Sequence, residues 1–227
     1  LGDVYKRQLN DLEKSIKYYD RAINANPNDP LLLTESDKIY EQANIPTDQR
    51  LKRLESHLKT VMKHDDAVMR LLTLYNAESK YDKSIKILNT RHFHLWEGGG
   101  QVHDIYADSH ILKGMQFLKR KQYKEAIREF DLANQYPSNL EVAPSPNGGY
   151  EAKIYYLSGI AYEAMKQTDK AKICFEKSAD THFRSHLTDL NYYKIKSLRK
   201  LNRNGEADVA LSDMQKTLER ILRNPTD

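Results

Sequence analysis

Apolar residues recur along most of this chain at three- and four-residue spacing. Ile111, Met115, Phe117 and Leu118 make one such face, and Ala126, Ile127, Phe130 and Ala133 make another. That period belongs to amphipathic helices, here of about a dozen residues each. Pro27, Pro30, Pro46, Pro137, Pro144, Pro146 and Pro225 fall between these patterns, as do Gly98 to Gly100, Gly148, Gly149 and Gly205. Both residues interrupt helices, so their positions mark connections. No stretch alternates with the two-residue period of a strand. The pattern therefore predicts an all-α chain.

A short motif repeats through these helices: a small residue, an apolar one, then a large apolar residue three further on. It is read at Ser15/Ile16/Tyr19, Arg50/Leu51/Leu54, Ser84/Ile85/Leu88, Ala126/Ile127/Phe130, Ala171/Lys172/Phe175 and Ala207/Asp208/Leu211. The intervals are 35, 34, 42, 45 and 36 residues. Gly159, Tyr162, Ala171 and Phe175 add a Gly-x2-Tyr…Ala-x3-Phe pattern, and Gly114, Phe117, Ala126 and Phe130 repeat it with Phe for Tyr. The chain thus resembles tetratricopeptide repeat proteins, whose period is ~34 residues. The resemblance implies a right-handed helical-repeat solenoid of helix pairs, each burying its apolar face on its neighbour. Gly114 and Gly159 interrupt helices at about 1 kcal/mol relative to Ala, so they are expected to mark close approach of the partner helix. The second and sixth repeats rest on spacing more than on residue types.

The two long intervals contain the sequences RHFHLWEGGG and EVAPSPNGG, read as insertions between repeats. The expected layout is residues 9–90 as repeats one to three, 91–106 as an aromatic and Gly-rich inserted loop, and 107–223 as repeats four to six with a second inserted loop at 137–149. Repeat one is expected to keep only its second helix, Asp11 to Ala25, exposing Tyr18 and Tyr19. Leu218, Glu219, Arg220 and Arg223 are expected to give the last helix a polar capping side. Residues 1–8 are set apart, because Asp3 to Gln8 (DVYKRQ) is what a common transposase adaptor encodes in one frame. They are expected to be a sequencing scar, which makes the chain the C-terminal fragment of a longer protein and leaves location unassigned, with the cytoplasm as working expectation.

Composition narrows the chemistry. A net charge of +4 among 36 basic and 32 acidic residues gives no polyanion-binding excess, so nucleic acid is not expected as a partner. No apolar run reaches the ~18 residues of a membrane span. One cysteine, Cys174, makes neither an internal disulfide nor a Cys-based zinc site. It reads as a small packing residue, since no basic residue is spaced to activate it. No phosphate loop, nucleophile elbow or HExxH is present, so no catalytic residue and no cofactor are assigned, and the chain is read as a non-enzyme. Basic clusters at Lys119, Arg120, Lys121 and Lys124, and at Lys194, Lys196, Arg199, Lys200 and Arg203, read as solvated faces. A sharper reading makes the second a groove for an acidic C-terminus.

The segment Arg91 to Gly100 holds the sole Trp and two of the eight His. In an extended chain His92, His94 and Trp96 share one edge and Phe93, Leu95 and Glu97 the other. Three readings stand. Arg91, His92, His94, Trp96 and Glu97 form a recognition loop, with Trp96 stacking on a sugar or side chain; or His92, His94 and His103 hold a metal; or Phe93, Leu95 and Trp96 plug the core. The residues favour the plug, then binding. No metal site is assigned, since two His need a third ligand and an ordered second shell. Tyr155, near Tyr150 and Tyr156, completes the candidate binding set, although most of the fifteen Tyr are expected to pack. His182 and His186 lie one helical turn apart without a third ligand.

Residues Leu88 to Ala179 also resemble the tail of certain bacterial multidomain proteins, in which a β-rich domain of unknown function, related to sugar-binding mutarotase-like folds, precedes the helical repeats. That resemblance implies an upstream β-rich domain and a carbohydrate context. The expected function is a non-catalytic scaffold binding a protein or peptide, or docking its own upstream domain. The alternative is an accessory helical domain of a carbohydrate-binding or carbohydrate-active enzyme, with loop 91–100 beside the sugar site.

Overall fold

The computed structural model describes residues 2–94, 101–144, 149–181 and 189–223, and their regular secondary structure is helical, with no strand among them. The helices are α1 (Gly2–Ala25), α2 (Pro30–Gln42), α3 (Thr47–Ser56), α4 (Leu58–Val61), α5 (Asp65–Ala77), α6 (Tyr81–Thr90), α7 (Gln101–Lys119), α8 (Tyr123–Ala133), α9 (Glu151–Ala164), α10 (Thr168–Ala179), α11 (Asp189–Lys200) and α12 (Asn204–Arg223). Two compact units divide the chain. One holds residues 1–106 with 139–141, and the other 107–138 with 142–227.

Antiparallel pairing is set by one turn used five times. Asn44, Ser79, Lys121, Lys166 and Asn202 each stand two residues past the end of a first helix, with φ between 56° and 61°. The following amide reaches back to a carbonyl five residues earlier: Ile45 to Tyr40, Lys80 to Tyr75, Gln122 to Phe117, Gln167 to Tyr162 and Arg203 to Leu198, all at 2.8–2.9 Å. This is the left-handed C-terminal cap that satisfies otherwise orphaned helix carbonyls. None of the five residues is glycine, which explains why glycine did not mark these turns. The next helix starts two residues after the left-handed position in four cases and three residues after it at α2–α3, where Pro46 precedes Thr47.

Volume matching registers each pair. An ideal Cβ at Gly114 would lie 2.5 Å from Phe130 Cε1, and one at Gly159 would lie 2.5 Å from Phe175 Cε1. Both phenylalanines are buried. The expected close approach at these two glycines is therefore present. In the other pairs the equivalent positions, five residues before the first helix ends and seven after the second begins, hold Asp37 and Leu54, Leu72 and Leu88, and Ile195 and Leu211. In these pairs a residue larger than glycine on the first helix goes with one smaller than phenylalanine on the second, and Leu72 and Leu88 are both fully buried.

In the α2–α3 pair, charge occupies this register. Arg50, in the position filled by Ala126 and Ala171, donates through Nε and Nη2 to both oxygens of Asp37 at 2.9 Å. Arg70 Nε adds a bond to Asp37 Oδ2 at 2.7 Å, and both arginines reach Glu41. Arg50 and Asp37 are buried, so a bidentate, fully bonded pair stands at the positions that glycine and alanine hold in the α7–α8 and α9–α10 pairs.

Several expected boundaries move. α1 runs from Gly2, not Asp11, since residues 2–10 contain no proline to stop it. Tyr18 is well exposed and Tyr19 half-buried. α7 starts at Gln101 inside the segment read as loop to 106, because Val102, Tyr106, Ser109 and His110 are buried at helical spacing. Leu140, in a 3-10 turn at Ser138–Leu140, is fully buried, so the second insertion is not simply surface loop. Gly205 lies in the first turn of α12, and that helix leaves Leu218, Ile221 and Leu222 exposed beside its charges.

Candidate functional site

The first unit brings the two insertions together. After α6 the chain leaves the helix at Arg91 in an extended conformation. Phe93 turns inward and is 1% exposed, while His92 and His94 remain exposed on the other edge. Asn139 holds this run from the second insertion. Its carbonyl accepts the Phe93 amide at 2.8 Å, and its side-chain amide donates to the Leu88 and Arg91 carbonyls at 2.8 and 2.7 Å. Asp65, in the first turn of α5, accepts from Arg91 Nε at 2.7 Å and from the His94 amide at 2.9 Å. Arg91 also donates to the Met62 carbonyl at 2.9 Å. Arg91 thus fixes the segment, with its guanidinium committed to Asp65 and Met62, and does not present a free fork to a ligand.

His92 Nε2 lies 2.7 Å from Glu141 Oε1, and His94 Nδ1 lies 3.8 Å from the same oxygen. The two imidazoles are 4.7 Å apart between centroids. The third group beside the histidines is therefore Glu141 and not His103, which is buried on α7 with its ring 6.1 Å from that of Tyr106. Trp96 and Glu97 lie outside the described residues, as do His182 and His186. Glu141 escaped sequence reasoning because 49 residues separate it from His92, and no local pattern links them.

In the second unit α9 and α11, the first helices of successive pairs, pack side by side. Lys196 on α11 lies 5.1 Å from the Tyr156 ring centroid and 5.0 Å from that of Tyr192, and Lys153 lies 5.7 Å from that of Tyr193. Hydrogen bonding to Tyr156 and Tyr192 raises the Lys196 ammonium above its ordinary range, so it stays charged at neutral pH. Tyr192 is 52% exposed, whereas Tyr156 is buried. Tyr155 is half-buried on α9 with Lys177 5.3 Å over its ring.

In the second basic cluster most side chains are engaged within the fold, while Lys119, Arg120, Lys121 and Lys124 are exposed. Lys200 pairs with Glu163, Lys194 donates to the Thr181 carbonyl at 2.8 Å, and Arg203 binds both Glu206 and Asp180. Lys196 differs in being held by tyrosines. A groove of about 540 Å³ nearby is lined by Ala179, Leu198, Val209 and Ala210, with Asp180 and Arg203 bonded to each other along it.

Cys174 is half-buried, and burial pushes its thiol up, away from the thiolate a nucleophile needs. His110 Nδ1 and Lys113 Nζ converge on Glu129 at 2.7 and 2.8 Å, a buried pairing of α7 with α8. No described helix is long and apolar enough to cross a membrane.

Comparison with known proteins agrees with this geometry. The sequence model of the tetratricopeptide repeat matches residues 152–180, which are α9 with α10, and residues 1–29. The second match includes the eight residues set apart above, where Leu1, Gly2 and Tyr5 stand at the repeat's L-G-x2-Y spacing. Among solved structures, BtubC (BKLC) from P. vanneervenii is similar with a TM-score of 0.52 at 12% identity, over 95% of this chain and 91% of that one. The crystal structure of MamA protein is similar with a TM-score of 0.50 at 18% identity, over 78% of this chain and 85% of that one. At such identities the likeness is one of fold, and that fold is an all-α array of tetratricopeptide-type helix pairs.

Proposed function

We propose that this chain is a non-catalytic helical-repeat scaffold that binds an acidic peptide segment of a protein partner across α9 and α11. The observation that carries the reading is Lys196, a cation held between Tyr156 and Tyr192 with no carboxylate among its bonding partners. A neighbouring carboxylate would take up its charge, while the exposed Tyr192 ring and the half-buried Tyr193 ring offer flat apolar area. Tyrosine supplies such area at low entropic cost and is enriched at binding hot spots. Lys194, Arg199, Lys200 and Arg203 are bonded to acceptors within the fold, which leaves Lys196 and its two tyrosines to carry the recognition.

A randomised peptide library displayed on phage and selected on the purified chain tests this. Enriched peptides should carry Asp or Glu next to an apolar residue, and the Tyr192→Ala/Lys196→Ala variant should lose them. Enrichment of basic peptides, or full binding by that variant, overturns the reading. The carbohydrate-related alternative rested on loop 91–100, with Trp96 stacking and Arg91 or Glu97 orienting, and on the resemblance of residues 88–179; Arg91 is committed to Asp65 and Met62, and no observation on the described residues favours it.

A further inference from the structure

We propose that His92, His94 and Glu141 bind one divalent transition-metal ion of the Zn2+ class, which ties the first insertion to the second. The three candidate donor atoms all lie within 4.8 Å of one another. Tetrahedral coordination at bond lengths of about 2.0–2.1 Å separates neighbouring donors by roughly 3.3 Å. The present spacings of 2.7 Å and 3.8 Å to the glutamate oxygen bracket that value. Small side-chain rotations would therefore complete a three-point ligand set without moving backbone.

Backbone placement is already fixed, which distinguishes this cluster from chance neighbours on a surface. Phe93, buried between the two histidines, forces both imidazoles to the same edge. Asp65 holds the His94 amide, and Asn139 holds Phe93 and Arg91 from two residues before Glu141. Leu140, fully buried, anchors the residue next to the glutamate. These contacts fix the backbone from which the three ligands project.

Glu141 itself has φ 53°. Five of the six positive-φ residues other than glycine among the described residues close helix pairs, and Glu141 is the sixth. A left-handed conformation costs an ordinary residue about 1–2 kcal/mol, and an exposed His92–Glu141 ion pair contributes only about 0–1 kcal/mol. Strain of that kind clusters at ligand sites.

Two imidazoles and one carboxylate suit Zn2+, Co2+, Ni2+ or Cu2+, whereas Mg2+ and Ca2+ prefer all-oxygen shells. The donors are exposed, so water fills the remaining position. The expected role is a clip between segments 91–94 and 139–141.

Calorimetric titration of the tag-free, EDTA-stripped chain with ZnCl2 tests this, with MgCl2 and CaCl2 as controls. One Zn2+ per chain is expected at this site, weakened at least about tenfold in each of Glu141→Gln, His92→Ala and His94→Ala, with no comparable binding of Mg2+ or Ca2+. Zn2+ should also raise the melting temperature of the wild type but not of the variants. His94→Ala is the control for folding, since its ring is exposed and, among the described residues, approaches only the other two exposed ligands, Glu141 and His92. Unchanged stoichiometry and affinity in all three variants places the zinc on other histidines and overturns the proposal. So does the absence of Zn2+ binding by the wild type at millimolar concentration.

Discussion

Gly114→Ala provides the sharpest test of how these helix pairs are registered. The added methyl would meet Phe130 at 2.5, 2.7 and 3.1 Å from three ring carbons, against the ~3.5–4.0 Å of comfortable carbon contact. The ring would have to move by about 1 Å. It has little freedom to do so, because Phe130 packs in a core with Ile111, Ala126, Ala133 and Ile154. Overpacking of this kind costs typically about 1–3 kcal/mol, and a rigid ring walled on its far side belongs at the upper end. Replacing glycine in a helix returns about 1 kcal/mol, so a net loss of about 2 kcal/mol is expected.

Phe130→Leu alone removes buried volume and should cost about 1–2 kcal/mol, less than the ~3–5 kcal/mol of a full truncation to Ala. In the double variant the added methyl at 114 occupies space that the Phe130 ring has vacated. The double variant should therefore be no worse than Phe130→Leu by itself, giving a coupling energy of about 2 kcal/mol. Urea denaturation followed by far-UV circular dichroism measures the cycle. Repeat arrays need not unfold in one step, so amide hydrogen exchange in α7 and α8 supplies the local value. Additivity of the two substitutions within about 0.5 kcal/mol, or wild-type stability in Gly114→Ala, would refute volume matching as the registering device. Gly159 with Phe175 offers an independent copy of the same experiment, since the Cβ distance there is again 2.5 Å.

Two further predictions concern turns and acid. Lys121→Gly and Lys166→Gly should each stabilise the chain by about 0.5–1 kcal/mol, because a left-handed φ of 61° or 60° costs lysine more than it costs glycine; a loss of stability in urea would contradict the cap. Burial pushes the Glu129 carboxyl up, but bonds from His110 and Lys113 outweigh this and hold it below the ordinary value of 4.5. The Lys83 bond depresses Glu55, and in Glu41 the arginine contacts overcome burial to the same end. A depressed folded-state pKa contributes stability above the unfolded value and loses it as pH falls through the folded one. The urea midpoint should therefore fall on acidification below about pH 4.5, with a shallower fall in Glu129→Gln; an equal slope in that variant would show that Glu129 is not linked.

The architecture was legible because helical period and repeat interval are carried by many residues at once. Gly114 and Gly159 were readable as contacts because a glycine inside a helix needs a reason. The first-to-second-helix turns were not, since their left-handed positions hold Asn44, Ser79, Lys121, Lys166 and Asn202 and no glycine. Arg50 made the second repeat look degenerate, yet it keeps the register through Asp37, an exchange of packing for charge that a small-residue search passes over. The helical start at Gln101 was hidden for a related reason. A glycine run read as the beginning of a long loop, whereas the buried positions at 102, 106 and 109 resume helical spacing directly after it.

For residues 91–94 of the first insertion, filling the core and facing solvent fall to different side chains. An extended run presents alternate side chains to opposite sides, so Phe93 fills the interior while His92 and His94 stay in solvent. Burial on one edge is what gives the other edge a fixed position. The second insertion completes the argument, because an exposed extended segment has backbone groups that need partners. Asn139 supplies them through its carbonyl and side-chain amide, and Leu140 adds a buried anchor. Loop-closure entropy grows only slowly with length, so a contact across 48 residues between Asn139 and Arg91 is disfavoured little more than a shorter one. The two long intervals in the repeat register are thus one structural feature contributed from two places, and Glu141 reaches the histidines because Asn139 and Leu140 have already docked.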